Sequence, residues 1–101
     1  MRYTVVWTEE AIENFYRISR YIELNWSLNI ALKFEEKVYN VIDLLKKHPR
    51  IGSVSDINPK YRKVVVTPQT SLFVHIDGNT VVLITFWDNA NDPELIAKLL
   101  Q

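Results

Sequence analysis

TEEAIENFYRISRYIELNWSLNIALKFEEKVYNVIDLL, residues 8–45, holds two apolar stripes at helical spacing separated by a short polar joint. In the first half Ala11, Phe15, Ile18 and Ile22 recur at steps of four, three and four, which is one face of an α-helix. Ile12 and Tyr16 widen that face. Thr8 suits the N-cap position, and Glu9 and Glu10 suit the positive end of the helix dipole. The helix is predicted to end near Asn25-Trp26, and Ser27 caps a second one. There Ala31, Phe34, Val38, Val41 and Leu45 again step by three and four. Two amphipathic helices with so short a joint form an antiparallel hairpin. A helix-turn-helix DNA reader fits less well, because both helices are long and the outer face of the second carries Glu35 and Glu36. Pro49 and Gly52 stop the second helix.

Outward from the hairpin, the chain reads as strands. Met1–Trp7 is rich in β-formers (Tyr3, Val5, Val6, Trp7). Residues 49–59 read as a polar loop, followed by strands over 61–66, 72–76 and 80–86. Asp77-Gly78-Asn79 is a hairpin turn, since glycine accepts positive φ. Val81–Ile84 is continuously apolar and suits a strand buried on both faces. Asp92-Pro93-Glu94 starts a last helix, in which Leu95, Ile96, Leu99 and Leu100 form an apolar stripe. The expected fold is α+β in the order β-α-α-β-β-β-α: a small antiparallel sheet, the helical hairpin packed on one face, and a short C-terminal helix. The first strand inserts beside one of the later three, and the other sheet face is left to bind something.

The chain of 101 residues is one domain, 48% apolar, long enough to bury a core. It has no cysteine, so disulfides and thiolate chemistry are excluded. That composition is compatible with a reducing compartment, and a cytoplasmic location is expected. Residues 1–10 lack the pattern of a signal peptide, and no apolar run approaches the roughly 18 residues of a membrane helix. Net charge is zero by cancellation. Between residues 46 and 63 six bases (Lys46, Lys47, Arg50, Lys60, Arg62, Lys63) face one acid, Asp56. Such a basic middle attracts phosphates or simply solvates a loop and a strand edge.

Much chemistry is missing from the sequence. His48 and His75 have no partner at metal-ligand spacing and read as a helix-end cation and a strand surface residue. There is no glycine-rich phosphate loop and no GxSxG elbow. Glu35 and Glu36 are adjacent and diverge on a helix, so they make a poor acid–base pair. No metal or cofactor is expected. The segment Lys60-Tyr61-Arg62-Lys63 remains. Strand alternation would place Lys60 and Arg62 on one face and Tyr61 and Lys63 on the other. Two cations on one face can hold a phosphate, and arginine offers a planar fork matched to it. The structural alternative is that Arg62 pairs with an acid such as Asp88.

These residues carry a family likeness. The chain resembles the RelE/ParE superfamily of bacterial toxins from type II toxin–antitoxin modules over almost its whole length. The likeness runs through Val5-Val6-Trp7-Thr8-Glu9-Glu10-Ala11, then Ile18–Trp26 with its Ile-Ser-Arg-Tyr-Ile-Glu phrase, and Lys46–Gly52. It continues with Tyr61-Arg62 and Phe86-Trp87-Asp88-Asn89-Ala90-Asn91-Asp92-Pro93. The resemblance implies a toxin domain spanning 1–101 and a cognate antitoxin whose C-terminal segment wraps it. Leu95, Ile96 and Leu99 are candidate antitoxin contacts. It also implies a dimer or a toxin–antitoxin hetero-oligomer, no membrane, and a target that is either the ribosome with its mRNA or DNA gyrase.

In the branch that cleaves mRNA on the ribosome no metal is needed, because the RNA 2′-hydroxyl attacks and cations stabilise the phosphate. The other branch poisons gyrase and is not a nuclease. Arg62 matches the family arginine of the second strand. With Lys60 and His75 it forms the candidate catalytic set, while Lys46, Lys47, Arg50 and Lys63 are candidate nucleic-acid contacts. Two departures stand out: Val74-His75 replaces an aromatic–arginine pair, and Ala90 replaces an arginine that contacts phosphate in the nuclease branch; together they raise a third reading, a catalytically weakened module that binds the antitoxin.

Overall fold

The computed structural model describes residues 2–89, 96 and 98–100. Its elements are β1 (Thr4–Trp7), α1 (Glu9–Asn25), α2 (Leu28–Lys47), β2 (Ser53–Val54), β3 (Arg62–Val65), β4 (Thr70–Asp77) and β5 (Thr80–Asp88). The expected α+β layout and element order are borne out, with β2 added. Ile96, Lys98 and Leu99 are helical, while the predicted Asp92-Pro93-Glu94 cap lies outside the described residues. None of the described helices is long and apolar enough to cross a membrane.

Both predicted helix starts are capped as their chemistry requires. The Thr8 hydroxyl accepts from the Ala11 N–H at 3.1 Å, and the Ser27 hydroxyl accepts from the Ile30 N–H at 3.1 Å. The Thr8 hydroxyl also lies 2.7 and 3.0 Å from the Leu83 and Ile84 carbonyls, so one side chain ties the start of α1 to β5. Asn25 and Trp26 end α1 as predicted.

The sheet order is β1-β5-β4-β3-β2. All neighbouring pairs are antiparallel except β1 and β5, which run parallel with Val5 opposite Val81. The N-terminal strand thus inserts beside the last one. The hairpin covers one face, where Ala11, Phe15, Phe34, Val38, Ile42 and Leu45 meet Val64, Leu72, Val74, Val81, Leu83 and Phe86. Leu83 and Phe86 both reach this core although they are three residues apart. A register shift allows it: Phe73 pairs with Thr85 and Val74 with Leu83, so Ile84 is an extra residue on β5. Within the predicted doubly buried run, Val81 and Leu83 are buried, while Val82 and Ile84 on the other face are only half-buried.

Asn14, on α1, is 2% exposed and secures this bulge. Its amide oxygen accepts from the Thr85 hydroxyl at 2.6 Å and from the Phe86 N–H at 3.1 Å. Its amide nitrogen donates to Glu10 at 2.9 Å.

Two expectations need correction. Residues 53 and 54 are not loop but a short edge strand, with Ser53 opposite Lys63 and Val54 opposite Arg62. Two exposed residues carry no periodicity of their own, so their pairing is imposed by β3 and by Gly52. Gly52 sits at φ +83°, and a Cβ there would lie 2.3 Å from the Lys63 carbonyl oxygen. Gly52→Ala is therefore expected to cost about 2–4 kcal/mol from clash and backbone strain, measurable as a fall in the thermal midpoint. The second correction concerns the open sheet face, which is not bare. Phe73, Ile84, Trp87 and Tyr61 present apolar surface there, and Ile96 and Leu100, one helical turn apart, pack onto it. The Asn58 side chain donates to the Leu100 carbonyl at 2.9 Å and fixes that cover.

Candidate functional site

The predicted cations do not converge. Arg62 opens β3 and shares a face with Val64, the face that the hairpin covers. Its Nη2 donates to the carbonyls of Arg50 (2.7 Å) and Gly52 (3.4 Å), so the guanidinium holds the loop between α2 and β2. Its Nε is buried and has no hydrogen-bond partner among the described residues. The alternative pairing with Asp88 does not fit the register. Arg62 lies opposite Val74, whereas Asp88 lies opposite Thr70, four positions along β4 and roughly 13 Å away.

Lys60 precedes the strand, so alternation does not carry it to the Arg62 face. Its N–H donates to the Asn58 side chain at 3.0 Å, and its Nζ lies 5.6 Å from the centre of the Tyr61 ring. His75 completes this group: its ring stands edge-on to Tyr61 at 6.0 Å, and its Nδ1 is 3.2 Å from the Lys60 carbonyl oxygen. A carbonyl only accepts, so a hydrogen bond there puts a proton on Nδ1. Lys60, Tyr61 and His75 thus form one group at the beginning of β3, apart from Arg62.

Lys63 faces the other way from Arg62. It lines a pocket of about 330 Å³ on the open face with Ser53, Ser55, Asp56, Phe73, Trp87, Asn89 and Ile96. Lys46, Lys47 and Arg50 lie at the end of α2 and in the loop after it. Ala90 and Leu95 lie outside the described residues. Ile96 is buried against Phe73, which removes it from any surface stripe, while Leu99 remains exposed.

Sequence reasoning missed a second concavity, larger than the one beside Lys63. A groove of about 830 Å³ runs between the hairpin and the sheet end carrying Thr67–Thr70 and Asp88. Its floor is apolar and aromatic (Ile18, Tyr21, Ile22, Trp26, Ile30, Phe34, Phe86, Trp87), and Arg17, Lys33 and Lys37 stand among its walls. Trp26 is 71% exposed and Tyr21 61%. The available signal was Tyr21, Trp26 and Ile30, large apolar residues around the hairpin turn that lie off both core stripes.

The chain matches, over residues 5–93, the family model described as the ParE toxin of the type II toxin–antitoxin system parDE. The chain belongs to the ParE toxin family. Solved structures agree in fold. A chain from the chromosomal ParDE toxin–antitoxin system of P. aeruginosa superimposes with a TM-score of 0.76 at 16% identity, over 86% of this chain and 96% of that one. The YoeB dimer from Staphylococcus aureus gives a TM-score of 0.58 at 13% identity, over 84% and 94%. The RelBE2 toxin–antitoxin complex from Mycobacterium tuberculosis gives 0.57 at 18% identity, over 88% and 100%. A search of curated proteins found no match. The ParE-family match is thus made on the strand, hairpin and sheet segments that position the groove and the cations, and the resemblance read from the sequence is confirmed at the level of the family.

Proposed function

We propose that this ParE-family toxin arrests growth by acting on DNA gyrase, without cleaving RNA, and that an antitoxin segment neutralises it in the hairpin groove. The observation that carries the first half is the commitment of Arg62. A cation that stabilises a phosphate in a transition state must point at it with donors free. Arg62 instead turns Nη2 to two carbonyls of its own loop and buries Nε, on the face opposite the open sheet surface. The groove supports the second half. An apolar floor flanked by three cations fits an acidic amphipathic helix laid along it.

The test is induction of the chain in bacteria, with gyrase–DNA cleavage complexes and ribosome-bound transcripts assayed in parallel. Accumulating cleavage complexes with intact transcripts are expected. Cut transcripts before any DNA damage would overturn the gyrase reading.

A second reading keeps RNA cleavage. It is favoured by the Lys60–Tyr61–His75 group, which sets an imidazole beside a lysine without needing Arg62. On that reading His75→Ala abolishes growth arrest. On the gyrase reading His75→Ala arrests growth as the unmodified chain does.

A further inference from the structure

At the opposite end of the molecule from the groove, three segments bring cations together. The Tyr3 N–H donates to the Lys46 carbonyl at 2.8 Å, which sets Arg2 beside the C-terminus of α2. Lys46 and Lys47 end that helix. Arg50 follows in the loop, and its backbone is held by the Arg62 guanidinium at 2.7 Å. Arg2, Lys47 and Arg50 are exposed, and Lys46 is half-buried. The acids at this end are Asp43, 4.0 Å from Lys46 and itself exposed, and Asp77 before the β4–β5 turn, which is tied to β1 by the Thr4 N–H to the Asn79 carbonyl at 2.9 Å.

Lysines in the last turn of a helix have an ordinary explanation, since they offset the negative end of its dipole. That accounts for Lys46 and Lys47. It does not account for Arg2, placed by the backbone bond from Tyr3 to Lys46, or for Arg50, whose carbonyl is held by the Arg62 side chain. Nor does overall charge explain the cluster, because the chain is neutral while this end sets Arg2, Lys46, Lys47 and Arg50 against Asp43 and Asp77.

We infer that the corner formed by Arg2, Lys46, Lys47 and Arg50 is a contact site for a nucleic-acid phosphodiester backbone, separate from the open sheet face and from the groove. Arg62 is a positioning residue for it, through the carbonyl of Arg50. Lys63, on the open face, is not part of it. A corner of four cations without a cavity holds phosphates by charge and reads no base, so binding is independent of sequence and strongly dependent on salt. The inference rests on a toxin whose target carries nucleic acid, as gyrase does. Its test needs neither gyrase nor ribosome, so its failure and that of the proposed function are distinguishable.

The experiment is fluorescence anisotropy of a short labelled DNA duplex, and separately of a single-stranded RNA, titrated with the chain across a salt series. With four phosphates neutralised, log K is expected to fall with log salt at a slope of about −3 to −4 on the duplex. The duplex is expected to bind more tightly than the single strand, because its charge density is higher. Lys47→Gln with Arg50→Gln should make the slope shallower by about two, which is roughly a 100-fold loss at 50 mM salt. Arg20→Gln with Lys98→Gln removes the same charge from exposed positions elsewhere and should leave the slope unchanged. Thermal melting confirms that each variant is folded. No binding at 50 mM salt, an unaltered slope in the Lys47/Arg50 variant, or an equal loss in the Arg20/Lys98 variant would each overturn the assignment.

Discussion

Asn14→Leu is expected to lower the stability of the fold by roughly 2–5 kcal/mol, a fall in thermal midpoint of roughly 10–25 °C. The side chains are similar in volume, so cavity formation is a minor part of the effect. What is lost is the acceptor for two buried donors, the Thr85 hydroxyl and the Phe86 N–H. The Phe86 N–H is left without a partner and the Thr85 hydroxyl keeps only the Phe86 carbonyl at 3.2 Å, in a site that excludes water, where a buried unsatisfied donor costs about 1–3 kcal/mol. The companion variant Thr85→Val removes one of those donors. In the Asn14→Leu background it should recover part of the loss, giving a coupling energy of about 1–2 kcal/mol in a double-mutant cycle. A loss under about 1 kcal/mol for Asn14→Leu would show that the β5 bulge is held by packing alone.

Trp26→Asp is expected to weaken antitoxin binding by about 100-fold or more, while leaving the isolated toxin as stable as before. The two halves of that expectation come from the same observation. Trp26 is mostly exposed at the end of the hairpin, so the free fold owes it little. It also lines the apolar groove flanked by Arg17, Lys33 and Lys37, where a partner would bury it. Truncating a central tryptophan anchor typically costs 2 kcal/mol or more, about thirtyfold, and an added carboxylate would further repel an acidic partner segment. Calorimetric titration of the co-purified antitoxin's C-terminal peptide into each toxin checks it. Unchanged affinity would move the antitoxin site elsewhere, and an early thermal transition would instead show a structural role for Trp26.

The helices were legible because their signals are local. Apolar spacing over 11–22 and 31–45 and two hydroxyl caps decide them, and both caps make the hydrogen bonds that their position demands. The strands β3, β4 and β5 were legible for the same reason. Strand order was not, because nothing within Thr4–Trp7 names Thr80–Leu83 as its partner. Strand β2 has no pattern at all, being two residues long. The misplacement of Lys60 beside Arg62 has a simple cause: alternation was extended two residues beyond the strand. The direction of Arg62 was readable in principle, since Arg62 and Val64 share a face and Val64 belongs to the core. What no local rule carries is that the loop carbonyls of Arg50 and Gly52 wait there. The groove escaped notice because Ile18, Ile22 and Phe34 read as core stripe while Tyr21, Trp26 and Ile30 lie off it, and only the packed hairpin brings the two sets together facing the sheet.

The pairing of the first strand with the last has a consequence for how the chain is made. Thr8 joins Leu83 across 75 positions, and no earlier strand offers β1 a parallel neighbour in this sheet. Loop closure of that length is among the slower events in folding a small domain. During synthesis the helical hairpin emerges before every strand it packs on except β1, and its apolar face is not fully covered until β5 leaves the ribosome. The ordered domain therefore exists only once β5 has been made, and the exposed hairpin of the nascent chain is the earliest surface that a neutralising partner can meet.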